Sequence, residues 1–136
     1  MKFRILSLIF CLLSLTAYPV EFYCADKKIK QIAEQLYPKV CEILDMEFKG
    51  KSINILCFKT HAELVEKLSN TILPFGLYIP ENETIYISLD NFTTGMLAHE
   101  IGHAIITNYS SFNISSKAQE ILCGYVEYEI IKGGSK

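Results

Sequence analysis

Residues 94–107 read T-G-M-L-A-H-E-I-G-H-A-I-I-T, and no other stretch of the chain restricts its fold so tightly. Thr93 or Thr94 can cap a helix here, and its end is expected around Thr107. On an α-helix, positions i and i+4 share a face one turn apart, so His99 and His103 are brought side by side with Glu100 between them. Two imidazoles at that spacing can ligate one metal ion, and a carboxylate in the same turn can hold the water the ion activates. Such a helix still needs a third ligand from elsewhere.

The 136 residues have room for one domain, and half of them are apolar, enough for a packed core. The net charge is −2, and no basic stripe with interleaved aromatics occurs, so nucleic acid is not an expected partner. Lys2 and Arg4 precede an almost unbroken apolar run from Ile5 to Leu15, shorter than a membrane span. The segment 1–25 therefore reads as a secretory signal peptide, cleaved somewhere in 17–25, with Ala17 and Ala25 as candidate cleavage residues. Neither offers an A-x-A pattern, and an uncleaved anchor is the alternative. The expected location is secreted or periplasmic, or membrane-anchored and facing outside the cytoplasm. Cys11 would leave with the leader, while Cys24, Cys41, Cys57 and Cys123 may stay with the domain, fewer if cleavage falls late. In an oxidising compartment four cysteines suggest two disulfides in one of three pairings, with free buried thiols as the other reading. No C-x-x-C occurs, which argues against a cysteine-based zinc site.

Over residues 26–136, taken as the domain, hydrophobic spacing sets the expected elements. Ile29, Ile32, Ala33, Leu36, Val40 and Ile43 recur at helical intervals from Asp26 to about Leu44, with Pro38 expected to kink or split the helix. Ser52 to Phe58 reads as a strand, and Thr60-His61-Ala62-Glu63 as a capping box opening a short helix. His61 falls in that first turn and is read as a solvated polar residue. Phe75 to Ile79 and Thr84 to Ser88 flank the turn-forming Pro80-Glu81-Asn82-Glu83 as a hairpin. After the motif helix, Ser110 to Ser115 is a polar loop. Ser116, with Gln119 three positions on, opens a last helix that reaches Ile130 or Ile131 and is stopped by Lys132-Gly133-Gly134. The order is helix, strand, helix, hairpin, helix, helix. It gives an α+β layer arrangement: a small mixed sheet of about three strands covered by helices. Asn-x-Ser/Thr tripeptides at Asn82, Asn91, Asn108 and Asn113 matter only in a host that glycosylates.

The third ligand has few candidates. A continuation H-E-x-x-H-x-x-G-x-x-H is excluded, because Ile106 and Tyr109 occupy the glycine and final histidine positions. The last helix contains Q-E-I-L-C-G-Y-V-E over 119–127, and Glu120 in its first turn would complete a His₂Glu set. Glu127 and Glu129 are the alternative ligands. Gly124, one turn beyond Glu120, could let the helices approach closely near the ion. Tyr109 and Tyr125 are candidate donors to a tetrahedral oxyanion, and both could equally be packing residues.

H-E-I-G-H followed by Q-E-I-L-C-G-Y-V-E resembles the gluzincins, zinc metallopeptidases of the zincin class, and the chain's size is similar to the minimal, single-domain minigluzincins. The likeness covers roughly the last third of the chain, from the hairpin onward. It implies a zincin-like fold, Zn2+ as cofactor, His99, His103 and Glu120 as its ligands, Glu100 as general base and acid, and Tyr125 at the family's second-helix tyrosine. Gln119 stands where the family has Asn, Cys123 where it has a small Ala, and Gly124 supplies no carboxylate to orient a histidine. The resemblance also implies that the strand Thr84 to Ser88, through Tyr86 and Ile87, holds an extended peptide substrate by backbone hydrogen bonds.

Together these expectations describe an exported zinc metallopeptidase in which a zinc-bound water, activated by Glu100, hydrolyses peptide bonds. The competing expectation is a catalytically weak or inactive zincin-fold binding or inhibitory module. Little of the given chain follows Glu120 to form the far wall of a cleft, so the expectation is a shallow cleft, or one closed by self-association or by a partner. A membrane is involved only if the N-terminal segment is uncleaved.

Overall fold

The structure, a computed structural model, describes residues 20–68, 74–109 and 114–134. Most of the expected leader, Cys11, Asn113 and the loop residues 110–113 lie outside these. Within them, four helices and a four-stranded mixed sheet form an α+β layer arrangement. No helix among the described residues is long and apolar enough to cross a membrane.

The first strand, β1 (Glu21–Cys24), is one the sequence reading assigned to the leader. Its side chains alternate, with Phe22 buried between exposed Glu21 and Tyr23. It pairs in parallel with β2 (Ser52–Phe58), Glu21 opposite Ser52 and Cys24 opposite Ile55. The folded unit thus includes residues before Asp26, and the sheet has one strand more than expected. Apolar sequence runs on from the expected leader into residues 20–24, so composition marks no boundary before the strand.

Helix α1 (Lys27–Leu44) is capped by Asp26, whose Oδ1 accepts from Lys28 N at 3.0 Å and Ile29 N at 3.1 Å. Ile29, Ala33, Leu36 and Val40 form its buried stripe. Pro38 does not split it. Pro38 and Glu34 both lie on the exposed face, where water can replace the hydrogen bond the proline cannot donate. Asp45 ends the helix in the left-handed region at φ 52°, with Met46 N donating to Cys41 O at 3.2 Å.

Thr60 caps α2 (His61–Leu68) through Oγ1 to Glu63 N at 3.2 Å, while Glu63 reaches back to Lys59 N rather than to the cap residue's own amide. The hairpin forms as expected. β3 (Gly76–Ile79) runs antiparallel to β4 (Thr84–Ser88), joined by a 3₁₀ turn over Pro80–Asn82 and by Glu83 at φ 50°. The strand order is β1-β2-β4-β3, and β4 also pairs in parallel with β2.

Thr93 caps α3 (Thr94–Tyr109), with its Oγ1 accepting from Met96 N at 3.0 Å. α4 (Ser116–Gly134) is capped by Ser115 instead of Ser116, and it continues through the glycines expected to stop it. Helix α3 is the centre of the molecule. Leu97, Ala98, Ile101, Ala104 and Ile105 are fully buried against α1, α4 and one sheet face built from Ile53, Ile55, Ile85 and Ile87. Helix α2 packs on β2 and β4, and Leu64 is buried beneath it. Tyr86 stacks on Phe58 at 6.4 Å between ring centres.

Candidate metal centre

Two glycines on α3 set its distance from α4. A Cβ on Gly102 would lie 3.1 Å from the Cys123 sulfur, and one on Gly95 would lie 2.8 Å from Ile131 Cγ1 and 3.1 Å from Glu127 Cγ. They stand seven residues apart on one stripe, so α4 lies directly over the face that bears the histidines. Gly124, expected to serve this purpose, does not: a Cβ there would meet nothing within 4 Å. At roughly 100° per residue Gly124 is turned well away from the stripe containing Cys123 and Glu127.

This packing brings three side chains to one point. His99 Nε2 and His103 Nε2 lie 3.2 Å apart, and Glu120 places one carboxylate oxygen 3.2 Å from the first and the other 3.0 Å from the second. Among the described residues this is the group of donor atoms that could hold a metal ion. The separations fit such a role, because a tetrahedral ion with bonds of roughly 2.0–2.1 Å spaces its ligand atoms about 3.3 Å apart. Imidazole and carboxylate donors suit a first-row divalent metal.

The far nitrogen of each ring is also engaged from α4. His99 Nδ1 meets the Glu127 carboxylate at 3.1 Å, and His103 Nδ1 meets Gln119 Oε1 at 3.3 Å. A carboxylate accepts only, so with an ion on the two Nε2 atoms His99 Nδ1 would carry the proton toward Glu127. Gln119 Nε2 donates to Ile114 O at 3.2 Å, which turns the amide oxygen toward His103 and fixes the same tautomer there. Glu127, an alternative ligand in the sequence reading, lies outside the three-residue cluster and meets the far nitrogen of His99. Gln119, read from the sequence as a helix-start residue and a departure from the gluzincin pattern, meets the far nitrogen of His103. Glu129 lines a separate groove with Ile32, Lys39 and Gly133.

Glu100 is buried at 7% exposure, and its Oε2 accepts from Tyr78 N on β3 at 2.8 Å. Burial pushes its carboxyl above the usual carboxylate range, against the opposing pull of His103 and His99. Ser88 N donates to Phe75 O, so odd-numbered backbone groups of β3 face β4, while Gly76 and Tyr78 face outward. Gly76 has the space of a glycine only: a Cβ would stand 3.2 Å from Met96 Cγ and 3.3 Å from Glu100 Cγ. Asn108 Nδ2 holds the Tyr78 hydroxyl at 3.0 Å and ties this strand to the end of α3.

A cleft of about 700 Å³ opens over the group, lined by β3 and Phe75 on one side and by Met96, Gln119 and Glu127 on the helical side. Tyr86 and Ile87 do not line it. They belong to β4, which has a strand on each side and no free backbone edge, so the substrate role given to them is withdrawn. Tyr109 and Tyr125 are also outside it. Tyr109 lies 5.4 Å from Lys49 Nζ over the opposite groove, and Tyr125 is 53% exposed. The ring of His61 packs edge-on against Phe75 at 4.7 Å and takes no part in the cluster.

No family model, curated protein or solved structure matches this chain.

Proposed function

We propose that the chain is a zinc-dependent peptidase of the gluzincin kind, in which His99, His103 and Glu120 hold the ion and Glu100 is the general base. One observation carries this reading: the two Nε2 atoms and the Glu120 carboxylate converge beside a buried glutamate that no binding site would need. Bound zinc would supply a Lewis acid and lower the pKa of a water in its open position. Glu100 takes the proton of the attacking water and passes it to the leaving amine. Glu127 and Gln119 hold the imidazoles in the ligating tautomer. An extended peptide lies along β3 by strand addition, pairing with the outward groups of Gly76 and the Tyr78 carbonyl since Tyr78 N is held by Glu100, and export takes this work outside the cytoplasm.

The test compares wild type with Glu100→Gln for zinc content and for cleavage of casein and a peptide library. One zinc per chain in both is expected, with turnover lowered by about 10²–10⁴ in the variant. Zinc in both proteins and cleavage in neither would sink the peptidase reading and leave a binding module.

A further inference from the structure

A second pair of reactive groups sits on the far edge of the sheet and belongs to no part of the cleft. Cys24 ends β1, Cys57 lies near the end of β2, and their sulfurs are 3.8 Å apart. Cys24 is level with Ile55 in the parallel register, so Cys57 is two residues further along on the same face. Both are half-buried, whereas Cys123 is sealed beneath Gly102 and Cys41 stands on α1. β1 is a four-residue edge strand with one neighbour, and it can shift to close the remaining gap to a bond of about 2.05 Å.

We infer that Cys24 and Cys57 are the site of an intrachain disulfide that staples β1 to β2, formed by exchange with a low-molecular-weight disulfide. The Cys24 thiolate attacks one sulfur of the oxidant, breaking its S–S bond and releasing the first thiol. Cys57 then attacks the Cys24 sulfur of the mixed disulfide and displaces the second. The two cysteines lose two electrons and two protons in all, and the oxidant is reduced to two thiols. Either thiol can open the exchange, and the balance is the same if Cys57 attacks first. The inference is independent of the metal centre, because neither cysteine lines the cleft.

The full-length protein, equilibrated with oxidised and reduced glutathione and then alkylated, is digested without reduction and mapped by mass spectrometry. A Cys24–Cys57 linked peptide is expected, with the loss of two titratable thiols and a rise in melting temperature that a reductant reverses. A Cys57→Ser variant is expected to trap one glutathione on Cys24. Linkage of either cysteine to Cys11, Cys41 or Cys123, or no loss of thiols in the oxidised buffer, would overturn the assignment.

Discussion

The Glu127 carboxylate meets His99 Nδ1 at 3.1 Å, one helix reaching across to set the tautomer of a side chain on the next. Residue 127 follows Glu120 by seven positions, which at roughly 100° each returns it to within about 20° of the same face. One side of α4 therefore supplies both a member of the cluster and the partner of another.

Removing that orientation should weaken the ion's hold without abolishing it. Glu127→Gln keeps the shape of the side chain and loses the charge, and about a 10- to 100-fold drop in zinc affinity is expected. Glu120→Ala should lose measurable binding in the same competition titration with a fluorescent chelator. Equal losses from the two substitutions would mean that Glu127 is itself a ligand.

The two glycines 102 and 124 should respond to alanine with opposite signs. At Gly124 the new methyl meets nothing, so the gain in helix propensity, roughly 0.5–1 kcal/mol, should raise the urea midpoint. At Gly102 it is forced against a fully buried Cys123, and the overpacking cost of about 1–3 kcal/mol should exceed that gain. Adding Cys123→Ala to Gly102→Ala should recover part of the loss. A double variant no more stable than Gly102→Ala would show that the clash lies elsewhere.

Metal-free protein should lose stability through Glu100 as the pH rises. The folded state raises this carboxyl's pKa, so between the unfolded and folded values the native chain binds more protons than the unfolded one. The stabilising contribution is thus complete below the unfolded pKa, is lost as pH climbs through the folded pKa, and is flat above it. Glu100→Gln has no such titration, and its advantage in urea midpoint over wild type should grow across that window. A constant difference from acid to neutral pH would rule the effect out.

Cys123 should be inert while the protein is folded. Burial pushes its thiol up to about 12, so at pH 8 only about one molecule in 10⁴ carries the thiolate. Iodoacetamide labelling mapped by mass spectrometry should find it unmodified in buffer and modified in denaturant. Rapid native labelling would contradict the close fit of α4 beneath Gly102.

The pairing of His99 with His103 was legible because it depends only on the pitch of one helix. The caps at Thr60 and Thr93 were legible for the same reason: each is a local exchange of hydrogen bonds. What failed was non-local. That β3 is the free edge and β4 lies inside the sheet follows from strand order, which alternating side chains do not encode, so Tyr86 and Ile87 were placed on the wrong strand for contact with a ligand. Tyr125, five residues past Glu120, is turned about 140° from it and faces solvent, an error of helical phase that the spacing could have exposed. Glu127 and Gln119 needed the distance between α3 and α4. The signal for that distance, Gly95 and Gly102 seven apart on the motif helix, was present in the sequence.

The dependence of the cluster on α4 also orders events during synthesis. A growing chain has both histidines well before it has Gln119, Glu120 or Glu127, and α3 can already bury its apolar sides against α1 and the sheet. Until α4 is made and docked, the imidazoles have neither a carboxylate to share nor partners for their Nδ1 atoms. A growing chain that lacks α4 therefore holds only part of the group of donors, which α4 completes when it docks.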